Sequence, residues 1–348
     1  MMAGIHHGGG LTAAVARYGG RAEDWLDLST GINPNAVALP DIPISIWNRL
    51  PDRELIDDAR RAAADWYLAG SSTAAGPAGS IAHPLPVPGT QAFIQILPKL
   101  VPQDRPVAIL SPTYGEYAHC LGKAGLAVEQ IAGIGALRED HGALIVVNPN
   151  NPDGRILQPS ELVELAATMR ARGGHLHVDE AFGDGRPELS VAAIATEARG
   201  VTVSRSFGKF FGLAGVRLGF VFADPETLDF IEFELGPWAV SGPALHIARV
   251  LLRRDRSALV RVIGERRAGL QGALQAAGMK VAGGTDLFAL VDHENAAGLF
   301  EHLAASHILV RKFDYAPHWL RIGLAADQRG DRRLTDVLAS FESSCLRS

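Results

Sequence analysis

Short apolar runs alternate with amphipathic segments between about residues 85 and 225. The apolar runs lie at 107–110, 143–148, 175–179, 201–204 and 219–222, and each has the length of a buried strand. Residues 160–172 place apolar side chains at helical spacing, and this segment ends at Gly173 and Gly174. The alternation predicts βα units and an α/β fold with a mostly parallel, doubly wound sheet.

The pattern changes after residue 225. Residues 225–277 have helical periodicity, including the segments 243–253 and 256–277. Beyond them, 287–291, 308–311 and 319–323 resemble strands, whereas 296–306 and 331–342 resemble helices, which predicts a small α+β domain. We therefore predict a large domain over 50–255 and a small domain built from 1–49 and 256–348. The placement of the N-terminal segment rests on analogy.

Composition narrows the possible functions. The chain has 348 residues, 47% hydrophobic and 20% charged, which is typical of a globular protein with a sizeable core. Its net charge of −5 provides no positive field for nucleic acid or an anionic membrane, so we expect neither as a partner and favour a small molecule. With only Cys120 and Cys345, and no expected secretory signal, we expect a cytoplasmic protein.

Two loops next to predicted elements are candidates for ligand binding, one before a helix and one after a strand. Gly89, Thr90 and Gln91 open a predicted helix at 92–100, where free N–H groups suit a phosphate, although Gly-Thr is also a common helix cap. Residues 148–154 read Asn-Pro-Asn-Asn-Pro-Asp-Gly directly after a predicted strand. Turn preferences alone explain these residues, but two prolines also fix the loop and orient its amides. The residues alone leave both interpretations open.

The strand at 175–179 places His175, His177 and Asp179 on one face. A metal site is one interpretation, but successive side chains on that face lie roughly 6–7 Å apart, which is poor spacing for one ion. We therefore favour core histidines, predict no metal site, and consider Asp179 separately as a carboxylate at the end of a strand.

Lys209 lies among the aromatic residues Phe207, Phe210 and Phe211. Removal from water favours the neutral, nucleophilic form of an amine, although a lysine that extends from a loop is the simpler alternative. Ser206 and Arg217 lie on either side of it, and both residue types bind phosphate. The set suggests a phosphate-bearing cofactor attached to an amine.

Taken in order, these motifs resemble the fold-type-I pyridoxal-phosphate enzymes of the aspartate aminotransferase superfamily. The resemblance implies pyridoxal 5'-phosphate as cofactor, with Lys209 as the catalytic residue that links to it and Asp179 paired with its ring nitrogen. It also implies that Asn151 bonds to the phenolic oxygen and that Tyr114 stacks on the ring. The residues that would hold the cofactor phosphate are Gly89, Thr90, Gln91, Ser206 and Arg217.

The chain departs from the family pattern at two positions. Phe182 stands where members often have tyrosine after Asp-x-Ala, so a hydroxyl that tunes the cofactor is missing. Leu50 stands where members often have a tyrosine that reaches the phosphate of a neighbouring subunit, and Arg49 or Arg53 could replace it. The resemblance also implies a homodimer.

The small domain supplies two arginines, Arg311 and Arg321, on adjacent predicted strands. They are either surface residues or a site for carboxylate and phosphate groups. The resemblance places Arg321 at the substrate carboxylate. The N-terminal His6-His7-Gly8-Gly9, the motif at 28–34 and the run 206–211 resemble those of cobalamin-pathway threonine-phosphate decarboxylases. The expected substrate-binding residues are His6, Gly31, Asn33, Asn151, Arg311 and Arg321, although His6 could equally belong to a loose tail.

This subgroup implies a small phosphorylated amino-acid substrate. The expected reaction is decarboxylation of L-threonine O-3-phosphate to (R)-1-aminopropan-2-yl phosphate in cobalamin biosynthesis. An aminotransferase of the histidinol-phosphate type is the alternative, because the sequence does not fix which bond at Cα lies perpendicular to the cofactor ring. A non-catalytic ligand-binding homologue is a further alternative, which the intact Lys209 and Asp179 disfavour.

Overall fold

The computed structural model describes residues 8–69 and 83–345. Its strands are β1 (Leu26–Asp27), β2 (Leu85–Val87), β3 (Val107–Leu110), β4 (Val128–Ile131), β5 (Ala143–Val147), β6 (His175–Asp179), β7 (Val201–Ser206), β8 (Gly219–Phe222), β9 (Val281–Thr285), β10 (Phe288–Asp292), β11 (Ile308–Leu309), β12 (Arg311–Lys312) and β13 (Trp319–Gly323). Its helices are α1 (Leu11–Tyr18), α2 (Ile44–Asn48), α3 (Arg53–Leu68), α4 (Thr90–Ile96), α5 (Glu116–Lys123), α6 (Pro159–Ala171), α7 (Ala192–Glu197), α8 (Phe207–Phe210), α9 (Pro225–Leu235), α10 (Gly242–Leu251), α11 (Arg256–Ala276), α12 (Ala296–Ala305) and α13 (Gln328–Cys345).

The chain divides into two compact units. The large unit comprises Val37–Asn151 and Arg155–Asp255, and the small unit comprises Met1–Ala36, Pro152–Gly154 and Arg256–Ser348. The division after residue 255 coincides with the one drawn from the sequence, whereas residues 37–49 lie in the large unit. Hydrogen bonds explain this difference: the Val37 N–H donates to the Phe211 carbonyl, and His246 Nε2 lies 3.1 Å from the Asp41 carbonyl.

A seven-stranded sheet organises the large unit in the order β2-β8-β7-β6-β5-β3-β4. All pairs from β7 to β4 are parallel, and β8 runs antiparallel to both of its neighbours. The five residues of β5 and the five of β6 are all buried, as expected for strands covered on both faces. The predicted mostly parallel α/β sheet is therefore confirmed, and the carboxyl ends of β3, β5, β6 and β7 lie along one edge.

The small unit contains a four-stranded antiparallel sheet in the order β12-β13-β10-β9 and a separate parallel pair, β1 and β11. Leu290 on β10, Ile322 on β13 and Leu338 on α13 are fully buried and form part of its core. The predicted small α+β domain is confirmed. Within the described ranges, no helix is long and apolar enough to span a membrane.

Candidate active site

A cavity of about 150 Å³ opens in the large unit. It is lined by every residue predicted to bind the cofactor, namely Gly89, Thr90, Gln91, Tyr114, Asn151, Asp179, Ser206, Lys209 and Arg217. The strands β2, β3, β5, β6 and β7 each end at one of these residues or within four residues before one, which agrees with the rule that ligands of open α/β sheets bind beyond the carboxyl ends of strands. The cavity also has walls that the sequence did not indicate, formed by Val147, Ala181, Gly208, Ala214 and Leu218.

Asp179 ends β6 and its side chain is buried. Its Oδ2 accepts a 2.8 Å hydrogen bond from the Tyr117 hydroxyl, and its Oδ1 accepts one of 3.0 Å from the Ala181 N–H. Burial raises the pKa of the Asp179 carboxyl above its ordinary value, while these two bonds and the positive charge of Lys209 act in the opposite direction. Asp179 is thus a carboxylate that needs a cation or donors to remain ionised.

Lys209 lies on the single-turn helix α8, which aromatic residues anchor in the core. Phe207 and Phe211 stack with ring centroids 4.5 Å apart, and Trp66 packs on Phe211 at 5.4 Å. The Lys209 side chain, in contrast, lines the cavity, where its Nζ lies 5.4 Å from the centre of the Phe182 ring. The predicted aromatic surroundings therefore hold the backbone of α8 while the amine faces the cavity.

Glycines allow a close approach between α4 and Arg217. Gly89 has φ of +76°, and a Cβ at this position would lie 2.9 Å from Arg217 Nη2. A Cβ on Gly219 would lie 3.0 Å from the backbone nitrogen of Thr90. Arg217 itself adopts φ of 54°, a strained conformation for a residue with a side chain. The guanidinium and the first turn of α4 thus form one side of the cavity, which suits an anion.

Gln91 and Tyr114 are joined by a polar network on the same side. Gln91 Nε2 donates a 2.7 Å hydrogen bond to Glu116, and the Tyr114 hydroxyl donates a 3.3 Å bond to Gln91 Oε1. Burial and the nearby Glu116 carboxylate raise the pKa of Tyr114 to about 12, so the phenol keeps its proton at neutral pH. The side-chain amide of Gln91 is bonded to protein groups. Its backbone N–H is therefore the group that we expect to contact the phosphate.

The asparagine-rich loop after β5 is held by two of its own side chains. Asn148 bonds through both amide atoms to the backbone of Leu157. Asn150 is buried, donates to the Pro112 carbonyl and accepts a 2.6 Å bond from the Thr113 hydroxyl. Asn151 is the asparagine of this loop that lines the cavity. The turn-forming residues of this loop therefore fix the position of Asn151 at the cavity.

His175 and His177 are core residues of β6. His175 Nε2 and His177 Nδ1 lie 2.9 Å and 3.0 Å from the Thr202 hydroxyl oxygen. Burial lowers the pKa of His175 to about 4 and that of His177 to about 3, so both rings are neutral at physiological pH. In the part of the chain that the structure describes, no group of three or more His, Cys, Asp or Glu residues could hold a metal ion.

In the small unit, Arg311 on β12 and Arg321 on β13 lie directly opposite each other in the sheet register. Arg321 is buried, donates a 2.7 Å hydrogen bond to the Ser29 carbonyl, and lies 5.0 Å from the centre of the Phe288 ring. Burial and the charge of Arg311 lower the pKa of Arg321 to about 10. Two neighbouring guanidinium groups provide a local positive field that favours a carboxylate or phosphate.

The N-terminal motif at 28–34 packs against β13, the strand that carries Arg321. The Gly323 N–H donates a 2.7 Å hydrogen bond to the Leu28 carbonyl, and a Cβ on Gly323 would lie 2.3 Å from the Thr30 carbonyl oxygen. Gly31 and Asn33 are buried in this segment. His6, also expected to bind substrate, lies outside the described residues.

Sequence reasoning missed Tyr117, whose hydroxyl contacts Asp179. Tyr117 lies one helical turn beyond Tyr114 and is fully buried on α5, so its position in the sequence indicates only a core residue. Ser204, the residue of β7 beside Asp179 in the register, was missed for the same reason. Both contacts depend on how elements pack across the sheet, which no local motif reveals.

The donor set in the large unit fits pyridoxal 5'-phosphate. Asp179 is a buried carboxylate for a ring nitrogen, Lys209 is an amine for an aldehyde, and Ser206 and Arg217 are donors for a phosphate. The close approach that Gly89 permits leaves this phosphate side open to an anion rather than filled by a side chain.

A family model described as aminotransferase class I and II matches residues 23–338. A threonine-phosphate decarboxylase from Sinorhizobium sp is 58% identical over 342 residues, covering 98% of this chain and 100% of that protein. Another, from Pseudomonas aeruginosa, is 41% identical over 343 residues, covering 97% of this chain and 98% of that protein. The solved histidinol-phosphate aminotransferase of Clostridium acetobutylicum has a TM-score of 0.75 at 20% identity, covering 92% of this chain and 99% of that chain. This chain therefore belongs to the aminotransferase class I and II family and depends on pyridoxal 5'-phosphate.

Proposed function

We propose that this protein is a threonine-phosphate decarboxylase, which converts L-threonine O-3-phosphate to (R)-1-aminopropan-2-yl phosphate and carbon dioxide in cobalamin biosynthesis. The fold alone does not separate this activity from transamination, because a histidinol-phosphate aminotransferase has the same fold. The observation that carries the proposal is the 58% identity to a threonine-phosphate decarboxylase over almost the whole of both chains.

Several residues of the large unit hold the cofactor in this proposal. Lys209 forms the covalent link, Asp179 keeps a proton on the ring nitrogen, and Asn151 and Tyr114 bind the ring. Ser206 and Arg217, with the N–H groups at Gly89, Thr90 and Gln91, hold the phosphate. The lining of the cavity by all of these residues supports this role. When bound, pyridoxal 5'-phosphate supplies an electron sink for the pair released at Cα.

The small unit binds the acidic groups of the substrate. Arg321 and Arg311 bind carboxylate and phosphate oxygens, and their opposed positions on β12 and β13 support this role. Gly31 and Asn33, with Asn151 of the large unit and His6, complete the proposed substrate-binding set. A substrate with both a phosphate and a carboxylate matches a pair of arginines better than an apolar amino acid would.

In the proposed reaction the bond between Cα and the carboxylate carbon breaks, and carbon dioxide leaves. The protonated Lys209 amine then donates a proton to Cα, so that a Cα–H bond replaces the Cα–carboxylate bond that was broken. Phe182, whose ring lies beside the Lys209 amine, has no hydroxyl group. It therefore offers no alternative acceptor for the proton that Lys209 carries. The role of the arginines is to orient the bond between Cα and the carboxylate perpendicular to the cofactor ring, so that this bond breaks. Transamination requires the Cα–H bond to be perpendicular to the ring instead.

Two parallel assays test this proposal. Purified protein with pyridoxal 5'-phosphate is given L-threonine O-3-phosphate, and evolved carbon dioxide is measured; separately it is given histidinol phosphate with a keto acid, and amino exchange is measured. We expect carbon dioxide in the first assay and no exchange in the second. Exchange without carbon dioxide would replace the proposal by the aminotransferase alternative.

A separate measurement tests the covalent role proposed for Lys209. Borohydride reduction of the protein incubated with pyridoxal 5'-phosphate should attach the cofactor irreversibly to Lys209, as read by mass spectrometry of peptides. Lys209→Ala should abolish this attachment and the activity. Attachment at another lysine would contradict the proposed role of Lys209.

We also propose that the protein is a cytoplasmic homodimer. Large apolar side chains on and near α2 are exposed in the single chain: Leu39, Ile44, Trp47 and Leu50 are between 55% and 76% exposed. Such a patch is typical of an interface. In sedimentation velocity, Trp47→Glu should shift the protein to monomer, whereas Phe233→Glu, which removes an exposed aromatic residue from α9, should not. A monomeric unaltered protein would contradict the proposal.

A further inference from the structure

A continuous row of hydrogen bonds runs behind Asp179 through the core of the large unit. The Tyr117 hydroxyl lies 2.8 Å from Asp179 Oδ2 and 3.1 Å from His177 Nε2. His177 Nδ1 lies 3.0 Å from the Thr202 hydroxyl, which in turn lies 2.9 Å from His175 Nε2. All five groups are buried, so each must find its hydrogen-bond partner within the protein.

Neutral imidazole carries one proton, so each histidine donates from one nitrogen and accepts at the other. If Asp179 is ionised, it only accepts, so Tyr117 must donate to it and use its own oxygen to accept from His177 Nε2–H. His177 Nδ1 is then an acceptor for the Thr202 hydroxyl, and that oxygen accepts from His175 Nε2–H. Every proton in the row therefore points toward Asp179.

We propose that Tyr117 and His177 are positioning residues that hold Asp179 as a carboxylate, with Thr202 and His175 fixing the direction of the row behind them. Four neutral groups aligned in one direction stabilise a buried anion without adding a cation. Burial raises the pKa of Asp179, and the hydrogen bond from Tyr117 is the largest of the interactions that lower it. The inference rests on the proposed pairing of Asp179 with the cofactor.

Other groups also face the row and must be considered. Ser204 Oγ lies 3.5 Å from both Asp179 Oδ1 and His177 Nε2, too far for a strong bond to either. The charge of Lys209 favours ionised Asp179, whereas Tyr114 packs on the Tyr117 ring. At the other end, the carboxylate of Asp224 raises the pKa of His175 without overcoming its burial.

The opposite arrangement is chemically distinct. A protonated Asp179 would donate to Tyr117, Tyr117 would donate to His177 Nε2, and the His177 proton would lie on Nδ1, where it would be donated to the Thr202 hydroxyl oxygen. The position of one proton on His177 thus reports the ionisation of Asp179, independently of any catalytic assay.

The test is nitrogen NMR of full-length protein labelled with [15N]histidine, with and without pyridoxal 5'-phosphate. The His177 signals are identified by their loss in His177→Asn. We expect the Nε2–H tautomer for His177 in both samples at neutral pH. The Nδ1–H tautomer of His177 in the unaltered protein would overturn the proposal.

Variants measure how much each link contributes. In Tyr117→Phe, carbon NMR of the Asp179 carboxyl should show its titration midpoint rising by about one pH unit. Tyr67→Phe, at another fully buried tyrosine, should leave it unchanged. Thr202→Val should mix the His177 tautomers and Thr202→Ser should restore them, an effect that a purely structural role would not produce.

An unchanged Asp179 midpoint in folded Tyr117→Phe would also overturn the inference. The two failures are distinguishable: protein with the expected tautomer that releases no carbon dioxide contradicts only the proposed function. A decarboxylase whose His177 carries its proton on Nδ1 contradicts only the inference.

Discussion

Nη1 of Arg205 lies 2.6 Å from Oε2 of Glu180, and both side chains are only 1% exposed. Glu180 also accepts hydrogen bonds from the Ser190 hydroxyl and the Val191 N–H, while the Arg205 guanidinium lies 4.6 Å from the centre of the Tyr67 ring. Glu180 follows Asp179 at the end of β6, and Arg205 lies near the end of β7, just before α8. The ion pair therefore ties together the two strand ends that carry Asp179 and Lys209.

Arg205→Met should lower the free energy of unfolding by about 3–5 kcal/mol, because it leaves the Glu180 carboxylate buried without its cation. Asp184, whose Oδ2 lies 3.9 Å from Arg205 Nη2, loses the same counter-ion. Urea unfolding followed by circular dichroism measures the effect. The double variant Arg205→Met with Glu180→Gln should lose less than the sum of the single variants, and a loss under about 1 kcal/mol in Arg205→Met would contradict this account.

Gly89→Ala should weaken cofactor binding by about tenfold or more, because the new Cβ meets the Arg217 guanidinium and the backbone must keep a positive φ. Titration of the cofactor-free protein with pyridoxal 5'-phosphate, followed by absorbance, measures the affinity. Gly122→Ala is the matched control, since a Cβ there has no atom within 4 Å. Equal affinities for the two variants would show that the close approach at Gly89 is unimportant.

Substrate binding should weaken as the pH rises through about 10, because Arg321 loses its positive charge there. The KM for L-threonine O-3-phosphate should then rise. Arg321→Gln should raise KM by about tenfold or more at neutral pH and should lack the additional rise near pH 10. If the variant keeps that rise, the alkaline effect comes from a group other than Arg321.

Asp179→Asn should lower kcat by about 10²–10⁴-fold while changing KM much less, because the amide cannot hold a proton on the ring nitrogen as a carboxylate does. Steady-state kinetics with L-threonine O-3-phosphate measures both constants. Asp184→Asn, at a buried carboxylate that does not line the cavity, is the control for loss of charge. A similar loss of kcat in both variants would point to general destabilisation instead.

The strands of the large unit that the sequence predicted are those buried on both faces. The sequence did not predict β2 or β4, for two different reasons. Strand β2 is three residues long and contains Pro86, whereas β4 is an edge strand with one buried residue in Val-Glu-Gln-Ile. In the small unit, β9 reads Val-Ala-Gly-Gly-Thr, which has too few β-branched residues for a strand pattern. Hydrophobic periodicity detects central strands but not edges.

The residues predicted to bind the cofactor line one cavity, and they could be predicted as one set because each lies within a local motif near the end of a strand. Tyr117 could not, because its contact with Asp179 is made across the packing of α5 on the sheet. The sequence predicted that Gln91 contacts the cofactor phosphate, but its side chain bonds to Glu116, a partner 25 residues away. Motifs thus identify what can touch a ligand, while the second layer of contacts depends on tertiary structure.

The most direct test of the central claim is the stoichiometry of the reaction with L-threonine O-3-phosphate labelled with 13C at the carboxylate, in the presence of a keto acid. The account predicts one labelled carbon dioxide and one 1-aminopropan-2-yl phosphate for each substrate consumed, with no amino group transferred to the keto acid. Consumption of substrate with the label retained in a keto-acid product, and the amino group transferred, would contradict it.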